Sequence, residues 1–232
     1  MQNPTLKTPI SRCLHLGYFS RRALGKLPQN QALAAFAAKA NDATAALEAA
    51  NLAYEQAKVL IVEARVDVKF ADVLSDAEVK QLLRRATLAD GRANGPIFKA
   101  LAPDGQTPLV KPFGQAQVDV LIDLEGKLQS FAATWPDAAQ EKAVVEGLRV
   151  AYEAALEGRK NAWQNARNLR MARNLAKQGF VKGYNETSLG VKALYQDDKK
   201  MIELFFDEVE NDVEKDLGEE EAPPGEATPG GG

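Results

Sequence analysis

His15 is the single histidine of the chain and Cys13 the single cysteine. They stand two residues apart, a spacing that suits neither two side chains one helical turn apart nor a metal chelate. A Ser-His-Asp or Cys-His nucleophile would have to use this one histidine. A Cys/His zinc site and an internal disulfide are ruled out by count. The plain reading of both residues is packing against the body of the protein. Acid–base chemistry would then fall to carboxylates. Asp119, Asp123 and Glu125 lie near one another, but no opposed carboxylate can be named on another segment, so they read as a solvated helix face. A di-metal bundle site would show Glu-x-x-His pairs, and there are none. Gly91-Arg92-Ala93-Asn94-Gly95-Pro96 is glycine-rich but lacks the Lys-Ser/Thr ending of a phosphate loop. Asn185-Glu186-Thr187 fits a glycosylation acceptor, which matters only in a secreted chain. No catalytic residue, metal ligand, cofactor or small-molecule ligand is assigned. A carboxylate- or Lys-based enzyme would need a polar pocket between helices that the sequence does not display.

The constellation with most to say is basic. At 100° per residue Arg159, Arg167, Arg170, Arg173 and Lys177 fall on one helix face roughly 120° wide, with Trp163 inside it. Such a face could grip a phosphate backbone, with Trp163 stacking on a base. It could equally dock an acidic protein partner, lay guanidinium groups over Trp163, or receive the chain's own acidic segment. Self-pairing or a solvated face is the favoured reading, because charge alone speaks to solubility and non-specific association.

The rest of the charge is segregated too. The net charge is only −3, yet residues 1–41 carry six basic residues and no acid. Residues 158–183 carry seven basic residues and no acid, and residues 197–232 carry thirteen acids against three lysines. Ser20-Arg21-Arg22 resembles a twin-arginine export signal and Ala38-Lys39-Ala40 a small-residue cleavage site. Pro28-Gln29-Asn30-Gln31 interrupts the apolar stretch such a signal needs. An acid-free, Arg-containing start also fits an organelle transit peptide. The reading taken is a flexible basic arm over 1–28 on a cytoplasmic protein. No apolar run approaches the ~18–20 residues of a membrane span.

The elements that must position these residues are helical. Leu33, Ala40, Leu47, Tyr54, Ile61 and Val68 repeat every seven residues, as do Phe36, Ala43, Ala50, Ala57, Ala64 and Ala71. Twelve apolar residues in two heptad columns predict one long helix over 31–74 with a coiled-coil-like seam, about 65 Å long. The alanine column predicts close approach of a partner helix. Ser75 with Glu78 reads as a capping box opening a second helix over 76–90. Residues 91–114 hold four Gly and four Pro, with a short helix expected near 96–102. An amphipathic helix follows over 115–135, closed by Pro136, and a second long Ala-rich helix over 138–182. A short helix is expected over 188–196 and an acidic one over 197–217.

The fold class that results is all-α: an elongated antiparallel helical bundle of two long helices (31–74 and 138–182), two shorter ones and a C-terminal acidic helix. The domain reading is the arm, a single bundle over 29–217, and a disordered acidic Pro/Gly tail over 218–232. The function reading is a non-enzymatic structural or protein-interaction protein. Self-association would follow if a second apolar face stays exposed. The alternative is a nucleic-acid-binding protein that uses the basic face at 159–182.

Overall fold

A computed structural model of the chain describes residues 3–27, 30–196 and 198–207. These residues form seven helices and no strand, so the all-α expectation holds. In chain order they are α1 (Ile10–Leu24), α2 (Gln31–Ala89), α3 (Pro96–Leu101), α4 (Thr107–Val110), α5 (Gln115–Ser130), α6 (Ala138–Leu194) and α7 (Lys199–Phe205). Residues 208–217 of the expected acidic helix and the tail over 218–232 lie outside the described residues. The chain divides into two compact units, Met1–Leu52 with Met171–Gly232 and Ala53–Arg170, where a single bundle domain is expected from the sequence.

In the first unit, the start of α2 and the end of α6 run antiparallel. Phe36 faces Gly190, Ala43 faces Gly183, and Lys39 pairs with Glu186. The second long helix, expected to end at 182, continues through Gly183 and Gly190 to Leu194. At Gly190 the missing side chain makes room for the opposing Phe36 ring, and Gly183 stands in ordinary contact with Ala43. The expected helix over 188–196 is therefore the last turns of α6. The irregular arm is replaced by α1, whose Cys13, Leu16 and Leu24 join Leu33, Leu47, Phe180 and Tyr184 in one core. Gly17 does not break α1, since it faces Thr44 and the Phe180 ring where a side chain would collide. Arg21 and Arg22 fall in the last turn of α1, where positive charge meets the negative helix end. α7 packs on α1, its first turn capped by the Asp198 carboxylate accepting the Met201 N–H at 3.0 Å. It brings Phe205 and Phe206 into the same core.

In the second unit, the rest of α2 pairs antiparallel with the start of α6. Asp72 meets Tyr152, and Arg85 meets Glu141. Val79, Leu82, Leu83 and Ala86 of α2 pack with Leu121, Leu124 and Leu128 of α5 and with Ala138 and Val145 of α6. α3 and α4 lie against α5 and add Leu101 and Leu109 to this core. α5 ends at Ser130, before the expected 135, and Trp135 is buried in the turn that follows.

All twelve seam residues are buried or half-buried. The capping box is overturned: Ser75 is fully buried inside α2, and its hydroxyl donates to the Ala71 carbonyl one turn back at 2.7 Å. Ser75 and Leu82 continue the heptad column of Val68 without a break, so nothing ends the helix there.

Candidate functional site

The six residues of the basic face are all on α6, but they do not share one environment. Arg167 and Arg170 are exposed, Arg159, Trp163 and Lys177 are half-buried, and Arg173 is only 6% exposed. Trp163 packs beside the small cluster of Ala57, Ile61 and Ala166. Its ring serves the α2–α6 contact rather than standing free for a base. Among the described residues no guanidinium lies over it, and Arg167 and Arg170 make no ion pair. The described part of the acidic segment meets α1: Asp207 bonds the His15 Nε2 at 2.8 Å.

The other candidates resolve into structural contacts. Cys13 is fully buried, its thiol turned to the Thr8 carbonyl, and burial pushes its pKa up to about 11 against a small opposing effect of Lys177. A thiol in that state is a poor nucleophile, and His15 bonds elsewhere. The three carboxylates of α5 diverge: Asp119 accepts from Gln115, Asp123 pairs with Lys127, and Glu125 pairs with Arg149. In the glycine-rich loop, the Asp90 carboxylate accepts the Ile97 and Phe98 N–H groups at 3.0 and 2.9 Å. An acid of the chain thus fills the place a phosphate would need. Thr187 is buried within α6, so the glycosylation pattern sits on continuous helix. Among the described residues no group of three His, Cys, Asp or Glu could hold a metal ion. A depression of about 240 Å³ between α5 and α6, lined by Leu128, Gln129, Lys142 and Glu146, is crossed by the bond from Lys142 to Gln129.

The polar groups that do converge are a pin. The Tyr152 hydroxyl donates to Asp72 at 2.9 Å and accepts the Gly114 N–H at 3.0 Å. Burial, then the bond to Asp72, raises its pKa to about 12. Asp76, one turn from Asp72, is also raised, by burial first and then by the neighbouring Asp72 charge. A buried phenol bonded to a carboxylate is the makings of acid–base catalysis. Here the phenol's two bonds join α2, α6 and the segment before α5, so the group positions helices.

The feature that sequence reasoning missed is on the outer side of α2. Val59, Val62, Val66, Phe70 and Val73 are 56%, 58%, 47%, 63% and 56% exposed. Their steps of three and four place them on one face roughly 80° wide, opposite the buried seam. The signal was present, since Val59, Val66 and Val73 are seven apart. The protein is thus an all-helical bundle protein with an apolar face that the described residues leave uncovered. The chain matches no protein-family model, no curated protein and no solved structure. Among the described residues no helix is long and apolar enough to cross a membrane.

Proposed function

We propose that this chain is a non-enzymatic structural or protein-interaction protein of the cytoplasm, and that the Val59–Val73 face of α2 is its working surface. The supporting observation is that one helix carries two apolar faces, of which the described residues cover one. The largest contiguous apolar patch on a typical monomer is about 300–600 Å² and is often functional. The nucleic-acid reading has less support. With Arg173 buried and Arg159 and Lys177 half-buried, Arg167 and Arg170 are the exposed cations of the face, and two phosphate contacts give weak, salt-sensitive binding. The test is a photo-crosslinking side chain (benzoylphenylalanine) at position 70 in growing cells, with the exposed Gln81 of α2 as control position. A covalent adduct at 70 that is absent at 81 is expected. Unmodified monomer at both positions overturns the reading.

A further inference from the structure

We propose that the apolar face of α2 docks a second copy of this chain, with the two α2 helices parallel and side by side. This rests on the interaction reading above and names the partner. The area is suitable. If each residue exposes about 150–200 Å² when free, the five fractions leave on the order of 450 Å² of apolar side chain per copy, more than half of the ~800 Å² per partner of an ordinary stable interface. Val59, Val66 and Val73 repeat every seven residues, so one apolar column runs straight along the face.

The flanks choose the partner and its direction. Along one edge of the apolar face run Glu63 and Asp67, and along the other Arg65 and Lys69, all exposed. Each edge therefore carries two like charges four residues apart, an arrangement that weakens a solvated helix. Among the described residues none of the four is in an ion pair. A second copy related by a two-fold axis along the helices sets the acidic edge of each against the basic edge of the other, and answers all four charges. An antiparallel copy would set acid on acid and base on base. The face is thus complementary to itself in the parallel sense alone.

The experiment is light scattering coupled to size exclusion on the full chain, loaded from about 1 to about 200 µM, the range in which micromolar association is resolved. A concentration-dependent dimer is expected. Val66→Asp with Phe70→Asp should leave a monomer of unchanged helix content, since both positions are exposed. Glu63→Lys with Asp67→Lys makes both edges basic, and Arg65→Glu with Lys69→Glu makes both acidic. Each pair should weaken the dimer by about tenfold or more, and mixing the two variants should restore it. A dimer indifferent to Val66→Asp with Phe70→Asp overturns the proposal. So does a dimer lost with that pair but indifferent to both charge variants, because the parallel arrangement requires them. A strict monomer at every load also overturns it. If that monomer still gives an adduct at position 70 with a different protein in cells, the interaction reading stands. If it gives none, both fall.

Discussion

The Tyr152 hydroxyl holds three segments at once, donating to Asp72 of α2 from its place on α6 and accepting from Gly114 ahead of α5. Tyr152→Phe leaves a buried N–H and a carboxylate short of a partner, and should cost about 1–3 kcal/mol in denaturant unfolding. The same group sets an alkaline limit. Its pKa is raised from 10 to about 12 in the fold, so the folded state keeps its proton longer than the unfolded chain. Its contribution is fully present below pH 10 and is lost as pH rises through about 12. Ultraviolet titration of the phenols should show a late component that shrinks in Tyr152→Phe. Cys13 makes a second prediction at this scale. Its buried thiol, with a pKa near 11, should resist a thiol-reactive dye at pH 8 in the native protein. It should give one equivalent per chain on unfolding, and rapid labelling without unfolding would contradict the burial. Neither partner of Tyr152 was legible in the sequence, since 80 and 38 residues separate it from them.

At the scale of the helix, α2 shows how one local signal yields to another. Ser-x-x-Glu is the pattern of a capping box, and Ser75 with Glu78 satisfies it. Ser75 also falls on the heptad column of Val68 and Leu82, and the tertiary contact uses that position. The hydroxyl turns back to Ala71, while Glu78 reaches Arg85, which also holds Glu141 of α6. The two readings predict opposite outcomes for Ser75→Ala. Loss of a cap would cost about 1 kcal/mol. Within a continuous helix the change removes a bond that competes with the backbone and improves helix propensity, so the melting temperature should hold or rise. Gly17 is the corresponding test for α1. An added methyl group would meet Thr44 and Phe180, so Gly17→Ala should lose about 1–3 kcal/mol by overpacking although alanine is the better helix former.

For the molecule as a whole, the two units have separate cores, and a change confined to one should be felt there. Ending the chain at Leu194 removes α7 with Phe205 and Phe206, both 3% exposed. Amide exchange should quicken across α1 and the start of α2, whose Cys13, Leu16, Leu24 and Leu33 share that core. It should be unchanged in α5, which belongs to the other core. Uniform acceleration across both units would show that they unfold as one.

What the sequence alone determined is what periodicity can carry. The all-helical class, the existence of the two long helices and the twelve-residue seam follow from apolar periodicity, because which residues share a helix face is fixed by 3.6 residues per turn, while both helices run on past their expected ends to Ala89 and Leu194. The short α3 was legible from Pro96 and the chain's dislike of long structureless loops. Tertiary structure decided the rest. It made α1 a core helix, with Gly17 set where Thr44 and the Phe180 ring leave no room for a side chain. Of the basic residues that share one face of α6 it buried Arg173, and the described residues leave the Val59–Val73 face uncovered. Whether a face is covered depends on elements far along the chain, and the helix that carries the face holds no record of them.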